Sequence, residues 1–377
     1  MYKHYKENKE QAKMNIKEIS IKDYNYELPD ERIAKFPKAE RDHSKILIYN
    51  KGNVVEDTFY NIVNFLPENA LMVFNNTKVI QARLHFQKQS GAHIEIFLLE
   101  PAEPFDYELM FQTKEQCVWV CMIGNLKKWK EGVLTKEIEI NGHSVTIKAE
   151  RLEQVGASHK VRLSWDDASL SFAELIDVIG ELPIPPYLNR DTQESDKTTY
   201  QTVYSKIKGS VAAPTAGLHF TNELLEKIRE KGVIIAEVFL DVGLGTFRPV
   251  QVENVLDHKM HSEKYKVPEE TVKIVNDAKK KGNRVIAVGT TSVRTLESSV
   301  DAGGKLIAGE SETSIFIYGD YKFKIVDAII TNFHLPKSTL IMLISAFGGK
   351  ETVFNAYHEA IKERYRFYSF GDSMFIY

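Results

Sequence analysis

The sequence has few cysteines, no long apolar run and almost no excess of charge, and each shortage excludes a class of protein. Its 377 residues include two cysteines, Cys117 and Cys121. On one extended strand they would lie roughly 13 Å apart, too far for a disulfide, so we expect two reduced thiols and a cytoplasmic protein. No run approaches the roughly 18 apolar residues of a membrane span, and the first twenty residues lack the apolar centre of a secretory signal.

The balance of charge excludes a general attraction to nucleic acid. The formal net charge is −3 at pH 7, so any contact with nucleic acid requires a local basic surface. Hydrophobic residues make up 43% and charged residues 27% of the chain, as in soluble globular proteins. The length leaves room for two domains and a buried core.

A change of sequence pattern divides the chain. Between about residues 81 and 169, short alternating runs are separated by glycine or asparagine turns, and Asn141-Gly142 is a strong hairpin signal. We therefore predict an α/β (mixed α+β) main domain with an inserted small all-β barrel domain. The predicted boundaries are a charged N-terminal extension over 1–22, a main domain formed by 23–80 together with 170–377, and the barrel over 81–169.

Polar residues follow several predicted strands of the main domain. Asn75-Asn76-Thr77 follows the strand from Leu71, and Gly289-Thr290-Thr291 follows the strand from Arg284 into a helix that carries Arg294. Such strand ends are common ligand sites in α/β proteins, and N–H groups at a helix start can hold an anion. The alternative for the asparagines is a turn that tolerates left-handed backbone.

The most distinctive short pattern is His258-x-x-His261 with Glu263 two residues further on. On a helical turn the two rings share one face, and histidine transfers protons near neutral pH. A polar surface turn is the alternative. A metal site is disfavoured because no third ligand stands at zinc-like spacing. We therefore expect no metal.

Two clusters of basic residues are candidates for a phosphate-binding surface. Lys127, Lys128 and Lys130 surround Trp129 within the predicted barrel, and the predicted last helix carries Lys362, Arg364 and Arg366. Such clusters can meet a nucleic-acid backbone. For the lysines around Trp129, a solvated loop is the alternative reading.

Seven longer motifs together resemble one family, the S-adenosylmethionine:tRNA ribosyltransferase-isomerases of queuosine biosynthesis. They are GSVAAPTAGLHFT, GTFRPV, HKMHSE, VGTTSVRTLES, TNFHLPKSTL, ERYRFYSFGDSMFI and LPIPPYLNR. The resemblance extends over roughly Tyr26 to Tyr377. It implies an α/β domain with an inserted β-barrel, and a tRNA partner. It also implies transfer, with rearrangement, of the ribosyl group of the substrate S-adenosylmethionine to the aminomethyl group of a 7-deazaguanine base. That base is at the tRNA wobble position, and adenine and methionine are released.

Residue chemistry suggests roles for the positions that the resemblance marks. We predict His261 or His258 as the base that removes a proton beside the sulfonium, oriented by Glu263, and His219 and His334 as candidate acids near adenine. Arg294, Thr290 and Thr291 would hold an anionic group, and Arg248 a carboxylate or a tRNA phosphate. The full set of predicted substrate contacts is Asn75, Asn76, Thr77, Arg83, Arg248, Thr290, Thr291, Arg294, Asn332 and Asp372.

The sequence departs from the resembled pattern at two positions near the expected pocket. Asn76 replaces an aspartate, and Asp241 replaces a histidine before Val242-Gly243. These exchanges either preserve function or mark a paralogue that acts on another tRNA base or a free deazapurine. A non-catalytic tRNA-binding relative is the third alternative. The sequence is compatible with a monomer or a weak oligomer.

Overall fold

A computed structural model describes residues 19–50, 52–140, 142–243, 250 and 252–377. Most of the predicted N-terminal extension, Asn141 of the predicted hairpin and Arg248 lie outside the described residues. The described strands are β1 Lys45–Asn50, β2 Asn53–Thr58, β3 Leu71–Asn75, β4 Thr77–Val79, β5 Arg83–Gln87, β6 His93–Glu103, β7 Gln116–Gly124, β8 Val133–Ile140, β9 His143–Val155, β10 Ser158–Trp165, β11 Gly180–Glu181, β12 Ile207–Ser210, β13 Ile234–Leu240, β14 Glu263–Val267, β15 Val285–Val288, β16 Gly309–Thr313, β17 Ala328–Asn332 and β18 Ser373–Ile376. The described α-helices are α1 Tyr107–Gln112, α2 Phe172–Ile179, α3 Asp196–Thr199, α4 Asn222–Glu230, α5 Glu269–Lys280, α6 Gly289–Ser298, α7 Thr339–Gly348 and α8 Lys350–Lys362.

Nine strands form the larger sheet, in the order β16-β14-β13-β3-β15-β17-β18-β1-β2. Its centre is parallel, because β3 pairs in parallel with β13 and β15, and β15 pairs in parallel with β17. These central strands are short apolar runs because both faces of the sheet are covered. Every residue of β3, β15 and β17 is buried. Their carboxyl ends therefore meet at one edge of the sheet.

Residues 83–181 contain the second large sheet, a curled antiparallel half-barrel of seven strands in the order β11-β5-β6-β7-β10-β9-β8. Alternate residues face a separate core that includes Trp119, Trp129 and Phe172. The two cysteines lie on β7, buried and free, as predicted. Among the described residues no ladder joins β8 to β5 or β11, so the half-barrel is observed and full closure is not.

Side-chain caps fix the starts of several helices. Thr221 accepts a hydrogen bond from a backbone N–H of α4, and Ser338 does the same for α7. Residues 341–345 of α7 are all buried, as its apolar sequence predicts. The prediction of a last helix that includes Arg364 and Arg366 is wrong, since α8 ends at Lys362 and Arg364 adopts a φ of 59°. No helix among the described residues is long and apolar enough to cross a membrane.

Candidate functional site

A small cavity lies at the carboxyl edge of the parallel strands, where β15 and β17 end. Its wall includes Thr290 and Thr291 from the first turn of α6, and Asn332 and His334 from the end of β17. Its volume of about 70 Å³ fits a small polar group and not a whole nucleoside. The Thr291 hydroxyl is buried and has no hydrogen-bond partner among the described residues. This hydroxyl and the N–H groups that begin α6 are therefore available to a polar ligand.

The two histidines predicted as acids are both deeply buried, and only His334 lines this cavity. The pKa of His334 is lowered to about 3 by burial, and its Nε2 lies 2.8 Å from the hydroxyl of Thr331. Burial likewise lowers the pKa of His219 to about 4, while its Nδ1 lies 2.7 Å from the hydroxyl of Ser44. The ring of His219 also stacks on Phe59, with 4.9 Å between ring centroids. Both imidazoles are therefore neutral at pH 7. In the free protein, neither ring carries the extra proton that a general acid would donate.

A larger cleft of about 450 Å³ lies between the half-barrel and the edge of the main sheet. One wall comes from β6, β7 and the β9–β10 turn, including Glu100. The opposite wall includes Asp241, His261 and Glu263. The volume is within the range of small-molecule sites. Val242 lines the strand-end cavity and Gly243 lines the cleft, so the two spaces flank one short segment after β13.

Glu263 forms a buried ion pair with Arg294 at the base of the cleft. The Arg294 guanidinium donates to Glu263 Oε2, and the backbone N–H of Gly243 donates to Oε1 at 3.1 Å. Both side chains are only 5% exposed. Among the described residues no histidine is found in hydrogen-bond contact with Glu263, so the orienting role predicted for it stays a prediction. Arg294 lines neither cavity. Its Nη1 contacts this carboxylate, while its Nε and Nη2 are buried without a hydrogen-bond partner among the described residues.

Asp241, which the sequence marked as a departure from the resembled pattern near the expected pocket, lines the cleft. Its Oδ2 accepts a hydrogen bond of 2.6 Å from the hydroxyl of Tyr107, which stands on α1 beside the half-barrel. Burial raises the pKa of Asp241 to about 7, and the charges of Glu263 and Glu100 act in the same direction. A carboxyl group that titrates near neutrality in a cleft is suited to proton transfer. The sequence around Tyr107 gave no signal of this contact, which joins residues far apart in the chain.

The His258-x-x-His261 pair is not on a helical turn, and that prediction is wrong. A short 3₁₀ turn ends at Asp257, His258 follows it, and Glu263 already begins β14. The ring of His258 packs edge-on against Phe316, with 5.5 Å between centroids. Burial and the neighbouring His261 lower the pKa of His258. His261 is exposed and lines the cleft, so of the two it faces the candidate site.

The asparagines after β3 bond to neighbouring strands. Asn75 donates its amide to the carbonyl of Leu240 at 3.1 Å and accepts from the N–H of the same residue at 3.1 Å. The Asn76 amide donates to Glu237 at 2.9 Å, and the Thr77 hydroxyl bonds a hydroxyl of β12. These contacts fix the junction of β3 and β13. Asn76 and Asp241 have different partners, so the contacts give no sign of a carboxylate exchange between them.

Two other residues predicted to contact the substrate also contact groups within the protein. Asp372 accepts the backbone N–H of Arg366 at 2.7 Å and that of Lys45 at 2.8 Å. On β5, Arg83 lies 3.2 Å from a carboxylate oxygen of Glu95. Neither residue lines the strand-end cavity or the cleft. Arg248 lies outside the described residues.

Comparisons with known proteins cover almost the whole chain. The sequence profile of the family described as "Queuosine biosynthesis protein" matches residues 21–376. The chain belongs to this family. A relative from Fusobacterium nucleatum is 48% identical over 359 residues, which are 95% of this chain and 97% of the relative. A relative from Trichlorobacter lovleyi is 46% identical over 359 residues, 94% of this chain and 99% of the relative. Both are named S-adenosylmethionine:tRNA ribosyltransferase-isomerase.

A solved structure of the queuosine biosynthesis family supports the fold. The crystal structure of S-adenosylmethionine tRNA ribosyltransferase from Thermotoga maritima is 35% identical, with a TM-score of 0.52. The similarity covers 94% of this chain and all of that structure. The resemblance identified in the sequence is therefore confirmed. No cluster of three or more potential metal ligands is found in the part of the chain that the structure describes.

Some residues of the predicted basic surface are exposed, whereas others are hydrogen-bonded to groups within the protein. Lys127, Lys128 and Lys130 are exposed, whereas the Trp129 between them is fully buried and donates to a backbone carbonyl. The indole is therefore unavailable to a nucleotide base. No carboxylate is found in ion-pair contact with these three lysines within the described ranges.

The C-terminal basic residues differ from one another in the same way. Lys362 pairs with Glu359 at 2.9 Å, and Arg364 is exposed. Arg366 donates to the carbonyl oxygens of Phe36 and Phe370 and lines a small pocket beside His219. Arg366 is thus bound within the protein, and only Arg364 of the three is exposed without a described ion-pair partner.

Proposed function

We propose that this protein transfers and isomerises the ribosyl group of S-adenosylmethionine onto the 7-aminomethyl-7-deazaguanine base at the tRNA wobble position. The products are epoxyqueuosine-tRNA, adenine and methionine. The observation that carries the proposal is the near full-length similarity to relatives that share one enzyme name. The cleft supports it, because its size and its ionisable lining suit a reaction that moves protons.

The two cavities suggest how the sulfonium substrate is divided between them. The strand-end cavity admits only a small group, and the start of α6 with Thr290 and Thr291 favours an anion there. We assign this place to the methionine carboxylate. The sulfonium and ribose then extend past Val242 and Gly243 into the cleft. Glu263 offers a negative charge at the base of the cleft, which stabilises a positive sulfur.

The reaction requires a base beside the sulfonium carbon, whose protons the positive sulfur makes acidic. His261 is our candidate because it is exposed and lines the cleft. His258, packed on Phe316, is the less accessible of the pair. Neutral His334 and His219 can contact adenine through hydrogen bonds. To protonate adenine, either ring would first have to gain a proton that burial in the free protein disfavours.

The finer points of organisation belong to the same proposal. Residues 81–169 would form a closed barrel domain inserted into a main domain of 23–80 and 170–377. The sulfonium supplies its own activation, so we propose a reaction without a metal ion. The tRNA carrying the deazaguanine base is the macromolecular partner.

Adenine release tests the proposed function. The protein would be incubated with S-adenosylmethionine and one of three acceptors: tRNA carrying the aminomethyl-deazaguanine, the same tRNA with guanine, or the free base. We expect adenine only with the modified tRNA. Release with another acceptor would favour a paralogue of different specificity. Binding of modified tRNA without turnover would favour a non-catalytic relative.

A further inference from the structure

Asp241 is held in the cleft with one carboxylate oxygen fixed and the other open. Tyr107 donates its hydroxyl to Oδ2 at 2.6 Å, and the backbone N–H of Asp241 donates to the carbonyl of Lys264 at 2.9 Å. Oδ1 has no hydrogen bond among the described residues, and the side chain lines the cleft. A carboxylate fixed in this way presents one oxygen at a set position.

The charged groups around Asp241 come from three neighbouring elements. Glu100 lies on β6, Glu263 and Lys264 on β14, and Glu312 on β16 across the same cleft. Glu263 is paired with the buried Arg294 guanidinium, and Glu312 accepts a serine hydroxyl at 2.8 Å. Burial is the main reason that the pKa of Asp241 rises to about 7. The Tyr107 hydrogen bond and Lys264 oppose the rise, and Glu263 and Glu100 add to it.

The proposed substrate brings a group that must lose a proton here. An alkylamine of this kind is an ammonium ion at neutral pH, since the pKa of such groups is about 10. Its nitrogen has no lone pair for attack until one N–H bond breaks. The reaction therefore removes two protons, one from the carbon beside sulfur and one from this nitrogen. The cleft presents two acceptors of different type, His261 and Asp241.

We propose that Asp241 is a further catalytic residue, whose free oxygen accepts the proton of the substrate's primary ammonium group while Tyr107 fixes the other oxygen. The inference rests on the proposed function. In this step the N–H bond breaks, its electron pair stays on nitrogen, and an O–H bond forms on Oδ1. The carboxylate becomes a neutral acid and the ammonium becomes a neutral amine. The raised pKa narrows the gap between donor and acceptor by about three units relative to an ordinary aspartate.

The test compares Asp241→Asn with the unaltered protein in kcat/KM for modified tRNA, measured by adenine release across about pH 6 to 10. Near pH 7 we expect a loss of about 10² or more, the usual range for a proton acceptor. The deficit should shrink about tenfold per pH unit as free amine becomes available from solution. Affinity for S-adenosylmethionine should not change. In Tyr107→Phe, the acidic limb of the profile should move to higher pH, because the lost hydrogen bond had lowered the pKa of Asp241.

The alternatives give different results. A deficit of Asp241→Asn that is constant at every pH would assign the residue a structural role and overturn the inference. Equal rates would also overturn it. Absence of adenine from the unaltered protein with modified tRNA would instead overturn the proposed function, and this inference with it. Loss of fold is not expected, since the amide removes a buried ionisable group, and circular dichroism at each pH checks this.

Discussion

The ion pair of Glu263 and Arg294 illustrates how one residue can serve a site that it does not touch. A buried charge needs a partner, because the desolvation cost of an unpaired ion in a protein interior is several kcal/mol. Arg294 lies behind Glu263 and supplies that partner. The sequence indicated both residues, and it assigned them to separate partners. Their pairing follows from α6 crossing behind β14, which residue spacing does not reveal.

Replacing one member of this ion pair should destabilise the fold more than replacing both members. We expect Arg294→Met to lower the free energy of unfolding by about 3 to 5 kcal/mol, because Glu263 is left buried and unpaired. Glu263→Gln should show a similar cost. The double variant should recover a large part of the loss. Urea denaturation of the four proteins gives the coupling energy, and strictly additive losses would contradict the proposed pairing.

Asp241 should make stability depend on pH in a defined direction. Its pKa is about 7 in the folded protein and about 3.9 in an unfolded chain. Between these values the folded state binds more protons, so this residue lowers stability as pH rises from about 4 to 7. The stability of Asp241→Asn relative to the unaltered protein should therefore increase over that window. Urea denaturation at several pH values measures it.

Asp372→Asn is the matched control for that titration. Asp372 accepts two backbone N–H groups. Its replacement should lower stability by roughly 1 to 3 kcal/mol, without the increase toward neutral pH. If Asp241→Asn follows the same course as Asp372→Asn, Asp241 is an ordinary ionised carboxylate.

The two histidines should differ in their contribution to turnover. His261→Ala should lower kcat by about 10² or more, with little change in affinity for S-adenosylmethionine, because a base acts mainly in the transition state. His258→Ala should have a smaller effect, since its ring packs on Phe316. Single-turnover adenine release separates chemistry from binding. Near-normal rates in both variants would exclude this pair.

At the scale of single elements, the sequence predicted the strands and helices that depend on local residue pattern. The strands predicted from Leu71 and from Arg284 are observed as β3 and β15. The prediction that His258 and His261 lie on a helical turn was wrong because strand pairing determines the backbone conformation next to them. Glu263 begins a strand that pairs with β13 on one side and β16 on the other. That pairing draws the chain into an extended form that three-residue spacing cannot indicate.

The start of α6 permits a test that separates binding from stability. Thr291→Val keeps the shape of the side chain and removes a buried hydroxyl without a described partner. Because no hydrogen bond is lost within the protein, stability should be equal or slightly higher. If the hydroxyl contacts the substrate, the Kd for S-adenosylmethionine should rise about 5- to 10-fold, equivalent to roughly 1 kcal/mol.

Thr295→Val on the same helix is the control for Thr291→Val. The Thr295 hydroxyl donates to the carbonyl of Thr291 at 3.0 Å and does not line the strand-end cavity. It should leave the Kd for S-adenosylmethionine unchanged. Equal affinity in both variants, measured by calorimetry, would show that the carboxylate binds elsewhere.

At the scale of the whole molecule, the cleft depends on contacts between distant parts of the chain. Tyr107 of α1 meets Asp241 after β13, and Glu100 of β6 faces the same space. The sequence predicted both sheets, and it could not predict which surface of the half-barrel faces the main sheet. That orientation is set by packing among residues more than a hundred positions apart. The sequence therefore indicated residues of the main-sheet wall of the cleft and missed those of the half-barrel wall.

Binding of tRNA should depend strongly on salt despite the net negative charge. Exposed lysines that contact phosphates release counterions, so each lost contact reduces the slope of log affinity against log salt by about one unit. Lys127, Lys128 and Lys130 are exposed on the half-barrel and lack a described ion-pair partner. Their joint replacement by glutamine should flatten the slope by about two to three units.

Replacing the C-terminal residues Lys362 and Arg364 should flatten the slope by about one unit, because Lys362 is already paired with Glu359. Arg366→Gln should leave the slope unchanged, since its guanidinium bonds backbone carbonyls. Filter binding over a range of salt concentrations measures all three slopes, and an unchanged slope in the lysine triple variant would place the tRNA on another surface.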